Sequence, residues 1–127
     1  MSEHKDLEQL GEFGLIDHLS KEFSTKNQHT LKGIGDDAAV ISISETEAML
    51  VSTDLLVEGV HFNLMYTPLK HLGYKAVVVN LSDICAMNAI PEQITVSLAF
   101  SSKFPLEAIE ELYKGIELAC EAYNVDL

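Results

Sequence analysis

The chain has 127 residues, with 20 acidic residues against 8 lysines and no arginine, for a formal net charge of −12. That length suits one domain, and with nearly half the residues apolar a real core is expected and disorder is not. The acidic balance excludes a basic patch for nucleic acid or an anionic membrane, and no apolar run reaches the ~18 residues of a membrane span.

The N-terminus, "MSEHKDLEQLGEFG", lacks a basic stretch followed by an apolar one, so no secretory signal is read and a cytoplasmic protein is expected. From Leu7 to Phe23, apolar residues at Leu7, Leu10, Phe13, Leu15, Ile16, Leu19 and Phe23 follow mostly helical spacing, loosened by Gly11 and Gly14. "STKNQHT" reads as a polar loop, and "LKGIGDDAAVISI" as a glycine-rich turn entering a strand from Ala38 to Ile43. "SETE" is a turn, and "AMLVSTDLLVEGVHF" a second strand ending near His61, so the two strands should form a hairpin. In "TPLKHLGYKAVVVNLSDICAMNA", Thr67 as N-cap and Pro68 in the first turn start a helix that Ala89-Ile90-Pro91 ends. "EQITVSLAFS" is expected to be a third strand. "FPLEAIEELYKGIELACEAYN" is a long amphipathic helix whose buried face is marked by Leu106, Ile109, Leu112, Tyr113, Ile116, Ala119 and Cys120. "VDL" resembles the first residues of another strand, and the abrupt end suggests a piece of a longer protein. The order predicts an α/β, or α+β layered, domain: a mixed sheet covered by helices, spanning residues 1–127. Cys85 and Cys120 form no CxxC pair and no metal-ligand spacing, and read as buried free thiols.

Three groups of oxygen-bearing residues stand out. Asp36-Asp37 follows Gly33 and Gly35; alone it reads equally well as a turn. In Ser52-Thr53-Asp54, strand periodicity puts Ser52 and Asp54 on one face and Thr53 on the other; the plain alternative is a strand emerging into solvent. Asn80 and Asp83 are neighbours on one helix face, among Val77, Val78, Val79, Leu81, Ile84 and Cys85. An aspartate in so apolar a setting is costly unless paired or metal-bound, the alternative being a cap or a hydrogen bond to a nearby loop. A loop, a strand end and a helix thus offer oxygens of the kind Mg²⁺ takes. His61 could donate a hydrogen bond to a phosphate or a polar ring, or could be a strand-end histidine in solvent. A chain without arginine that handles phosphates needs positive charge from elsewhere, and a carboxylate-held divalent metal supplies it. No P-loop, protein-kinase signature, Ser-His-Asp or Cys-His arrangement is present.

The segments "GEFGLIDHL", "GIGDDAAV", "VSTDLLVEGVHF", "GYKAVVVNLSDICAMNAIPEQITVSLAF" and "YKGIELACEAYNVDL" together resemble the N-terminal half of the thiamine-monophosphate kinase family, in order and spacing, from about Gly11 to the last residue. That family belongs with aminoimidazole ribonucleotide synthetase, formylglycinamidine ribonucleotide synthetase, selenophosphate synthetase and a hydrogenase maturation factor, and the resemblance implies the N-terminal domain of their shared fold. It implies ATP-dependent phosphorylation of thiamine monophosphate to thiamine diphosphate, with ATP as co-substrate and several Mg²⁺ ions. The metal ligands it implies are Asp37, Ser52, Thr53, Asp54 and Asp83, with Asp36 a weaker candidate; His61 would contact the thiamine phosphate and Tyr113 would lie against the nucleotide. It also implies a homodimer formed through this domain. No general base is required, since a phosphate acceptor is already nucleophilic at neutral pH, and phosphoryl transfer needs positioning and charge neutralisation above all. The family's following "GGD"- or "GGN"-type strand and second α/β domain are not in this sequence, so the chain alone is expected to lack kinase activity.

Two other functions fit the same residues. One is another ATP-using member of the superfamily, acting on a ribonucleotide or selenide. The other is a non-catalytic cation-binding dimerisation module whose acids decorate a solvated edge.

Overall fold

A computed structural model describes residues 7–127; the first six residues, part of the stretch read as lacking a signal, lie outside the described residues. The element order is α1 (Leu7–Ser20), β1 (Thr30–Lys32), β2 (Ala39–Ser42), β3 (Ala48–Val51), α2 (Leu69–Ala86) and α3 (Leu106–Tyr123). Two compact units divide the chain, one running to Val51 and the other from Ser52 to Leu127. The helices together with a small sheet give the α+β class.

In the first unit, α1 stops at Ser20 rather than Phe23 and is broken at Gly11, whose φ of 64° and ψ of 177° are non-helical. Only a residue without Cβ takes such a backbone cheaply, so this glycine interrupts the periodic pattern. The sheet is antiparallel with order β1-β2-β3. β2 and β3 form the expected hairpin, in register from Ala39 opposite Val51 to Ser42 opposite Ala48. Its turn is the "SETE" segment: Ser44 Oγ accepts the backbone N–H groups of Thr46 and Glu47 at 3.3 and 3.1 Å. β1 joins Thr30, the last residue of the stretch read as loop, to Leu31 and Lys32 of the stretch read as a glycine-rich turn, and pairs with β2 through an irregular register. β3 ends at Val51 because β2 begins at Ala39 and offers no partner beyond it, so the long second strand expected to run to the histidine is four residues.

The second unit is organised by α2 and α3. Leu72, Val77 and Leu81 of α2 pack with Leu112, Ile116 and Ala119 of α3 and with Val125. Burying each of the large side chains contributes about 2 kcal/mol before entropy is counted. The helices cross at two glycines. A Cβ on Gly73 would overlap the carbonyl oxygen of Leu112, and one on Gly115 would overlap that of Lys70. Each backbone therefore fits against the other with no room for a methyl group. Pro68, not Thr67, occupies the N-cap of α2, with no side-chain cap. Thr67 N–H is already engaged with the Asn63 carbonyl at 2.8 Å, as part of the turn that precedes the helix. α3 runs from its N-cap Pro105 to Asn124, which closes it in the left-handed conformation at φ 54°. Leu112, Ile116 and Ala119 are buried as the periodicity predicts, whereas Leu106 and Tyr113 of the same stripe are exposed.

"EQITVSLAFS" is extended chain that joins no sheet ladder. Its sole bridge is parallel, Gln93 to Asp126, closed by Ile94 N–H to the Asp126 carbonyl and Asp126 N–H to the Glu92 carbonyl. The period-two reading survives in packing, since Ile94 and Val96 both lean on the core. Only Val125 and Asp126 lie alongside, too short a neighbour for a ladder. The buried-thiol reading also fails for Cys85, which is exposed, while Cys120 is half-buried and burial, then the negative charge of Asp126, pushes its thiol up. Both are free.

Candidate functional site

The acid pair of the first unit sits in the loop that feeds β2. Gly35 has φ 120°, a conformation open to glycine, and turns the chain into Asp36. Asp36 is engaged locally: Lys32 Nζ donates to Oδ2, and the Asp37 N–H donates to Oδ1 at 2.9 Å. The lysine hydrogen bond, then the amide, holds the Asp36 carboxyl below its ordinary value of 3.8. Both oxygens of Asp36 are thus engaged within the loop.

In the second unit, Ser52, Thr53 and Asp54 follow the end of β3 in irregular backbone, so the strand alternation expected for them does not apply. Ser52 is half-buried, Thr53 and Asp54 are exposed. The structure brings Ser52 to Asp83: Ser52 Oγ donates to Asp83 Oδ2 at 3.4 Å, joining the segment after the strand to the third turn of helix that follows Gly73. Asp83 is half-buried on the flank of α2. Its partner Asn80 turns back on its own helix, donating to the Ala76 carbonyl at 2.8 Å. Asp54 accepts the Leu55 N–H on Oδ1 at 3.1 Å.

These donors fit a hard cation. All are oxygens, two of them carboxylates, and neighbouring ligands of an octahedral Mg²⁺ at about 2.1 Å stand about 3 Å apart. The 3.4 Å between Ser52 Oγ and Asp83 Oδ2 is close to that spacing. Among the described residues, neither unit gathers three His, Cys, Asp or Glu side chains into a metal-holding group, so hydroxyl, backbone and water oxygens have to complete any shell.

His61 lies in a turn rather than at a strand end. The turn closes through His61 N–H to the Val57 carbonyl at 2.9 Å and Gly59 N–H to the Phe62 carbonyl at 2.8 Å, with Gly59 at φ 79°. The ring Nδ1 accepts the Val57 N–H at 2.9 Å, and the His61 carbonyl accepts Lys75 Nζ at 3.1 Å. Nothing in the sequence pattern marked Lys75; only the fold brings α2 to the turn.

Tyr113 borders an open groove of about 690 Å³ along α3, floored by Ile116 and Val125 and rimmed by Glu110, Glu117, Glu121 and Asp126. Its nearest cation, Lys114, is tied to Glu111. A polyphosphate would be repelled by that rim unless a cation intervened.

Residues 35–127 match the family described as AIR synthase related protein, N-terminal domain. The chain belongs to this family. Among its relatives, the thiamine-monophosphate kinase of Synechococcus elongatus is 37% identical over 123 residues, 97% of this chain and 36% of that protein. The thiamine-monophosphate kinase of Bacillus subtilis is 43% identical over 95 residues, 75% of this chain and 29% of that protein. A solved structure, AaThiL complexed with AMPPCP and TMP, superimposes with a TM-score of 0.81 at 36% identity, covering 98% of this chain and 38% of that one. The chain thus matches between 29% and 38% of the length of these family members.

Proposed function

We propose that residues 1–127 act as the N-terminal nucleotide-, metal- and dimer-forming domain of a thiamine-monophosphate kinase, transferring the γ-phosphoryl group of ATP to thiamine monophosphate. The observation that carries this reading is the likeness, at 36% identity over 98% of the chain, to a structure holding an ATP analogue and thiamine monophosphate. Mg²⁺ would be held in the second unit by Ser52, Thr53, Asp54 and Asp83; in the first unit the candidate ligand is Asp37, with Asp36 behind it. Bound there, it would neutralise phosphate charge in a chain that has no arginine. The hydrogen bond between Ser52 and Asp83 supports this set by presenting two oxygens together.

The chain's own residues then have separate tasks. Asp54 and Asp83 supply negative charge to the cation, and His61 offers its ring to the acceptor phosphate. Tyr113, 38% exposed beside the groove, offers a flat face to the nucleotide base. A homodimer is supported by apolar side chains left exposed on strand and strand-like segments: Met49 and Val51 of β3, Leu98 and Phe100 farther on. Among the described residues no helix is long and apolar enough to cross a membrane, and we place the protein in the cytoplasm on its biosynthetic role.

Calorimetric titration of Mg²⁺ tests the reading. Asp54→Asn and Asp83→Asn should each weaken binding about tenfold, or about 1.4 kcal/mol. Unchanged affinity in both would favour the non-catalytic module with merely decorative acids. Competition between thiamine monophosphate and an aminoimidazole ribonucleotide separates the kinase from its superfamily cousins.

A further inference from the structure

The turn that carries His61 is specified in more detail than a ligand contact needs. A backbone N–H can only donate, so the Val57 amide at 2.9 Å requires a lone pair on Nδ1. In the neutral ring the single proton then sits on Nε2. The turn repeats the constraint in its backbone: Val60 and His61 N–H both reach the Val57 carbonyl, at 3.2 and 2.9 Å. Val57 thus holds residue 61 by its carbonyl and by its amide at once. The third attachment comes from another element. Lys75, on α2, donates to the His61 carbonyl at 3.1 Å. Among the described residues the ammonium groups of Lys32 and Lys114 pair with carboxylates, whereas that of Lys75 goes to this main-chain oxygen.

We propose that His61 presents its ligand with a neutral Nε2–H donor, fixed in that form by the Val57 amide, and that Lys75 is the positioning residue that fastens the turn to α2. The proposal rests on the reading that His61 faces the phosphate of the acceptor, and it makes that reading specific. With Nδ1 accepting the Val57 N–H, its lone pair is not open to a metal. What it offers is one outward N–H, suited to an anionic oxygen. Two further N–H groups of Lys75 add positive charge beside the same turn.

The test is a long-range ¹⁵N–¹H correlation spectrum of the imidazoles in the ¹⁵N-labelled chain at about pH 8, where histidine is neutral. His61→Gln identifies the signals. The proposal expects an unprotonated Nδ1 and a protonated Nε2; a protonated Nδ1, or an even mixture, overturns it without any ligand being added. For Lys75, hydrogen exchange at the Val57 amide is the readout. Lys75→Met should speed it about fivefold, the amount one net hydrogen bond supports, and Lys75→Arg should restore it. No change in Lys75→Met removes the lysine from the proposal. Thiamine monophosphate with Mg²⁺ is then titrated in. Movement of the His61 Nε2 proton supports the donor role. A still proton alongside the expected tautomer refutes the phosphate contact and not the tautomer, so the two failures are told apart.

Discussion

The crossing of α2 and α3 and the segment from Ser52 to Phe62 are parts of one unit built on opposite terms. At the crossing, Gly73 and Gly115 leave no space for a methyl group and the surrounding Leu72, Val77, Ile116 and Ala119 are buried. The segment is largely exposed: Leu55, Val60 and His61 face solvent, while Leu56 and Phe62 lean on the core and a handful of hydrogen bonds tie the rest to the helix or within its own turn. The lesson is a division of labour. The crossing fixes where α2 stands, and α2 in turn supplies Asp83 and Lys75, whose side chains hydrogen-bond to the exposed segment. The residues assigned to the cation and to the acceptor contribute little to the core, whereas the groove beside Tyr113 is floored by the core residues Ile116 and Val125.

The largest effect should come from breaking the crossing. Gly73→Ala and Gly115→Ala each place a carbon on a carbonyl oxygen and should cost about 3 kcal/mol, lowering the melting midpoint by on the order of 10 °C. A thermal melt that hardly moves would show that the helices can slide apart cheaply. Next, Asn124→Ala puts an alanine into the left-handed cap of α3 and should cost about 1 kcal/mol in urea unfolding, whereas Asn124→Gly should cost nothing. Asp83→Asn sharpens the contrast from the other side. It should leave the urea midpoint within about 0.5 kcal/mol of the unaltered chain while weakening Mg²⁺, because the amide keeps an oxygen for Ser52. The smallest effect is that of pH on the Lys32–Asp36 pair. The folded Asp36 carboxyl lies below its ordinary value of 3.8, so its contribution is present above that value and is lost as the pH falls through the folded one. A carboxyl-detected NMR titration should show Asp36 protonating at lower pH than in Lys32→Met.

Helical periodicity in "YKAVVVNLSDIC" and "LEAIEELYKGIELAC" gave both long helices of the second unit, because their apolar stripes meet each other within the chain. The hairpin was equally legible, with the "SETE" turn carried by Ser44. Failures fall where a neighbour decides the state. "EQITVSLAFS" has strand chemistry but finds two residues to pair with. The run from Ser52 to His61 looked like the rest of a strand, yet β2 begins at Ala39, opposite Val51, and offers no partner beyond it. Of the proposed ligands, the apolar surroundings of Asp83 singled it out in the sequence, and the structure gives it Ser52 as a neighbour. The tie between Lys75 and His61 spans 14 residues between a turn and a helix, and no local pattern encodes it.

The central claim is that Ser52, Asp54 and Asp83 share a cation. Mn²⁺ takes the oxygen ligands that Mg²⁺ takes and broadens nearby NMR signals. Substoichiometric Mn²⁺ added to the ¹⁵N-labelled chain should first erase the amides around Ser52, Asp54 and Asp83, and excess Mg²⁺ should bring them back. Broadening that starts instead along the acidic rim of α3, at Glu117 and Glu121, with Asp83 left sharp, would contradict the account.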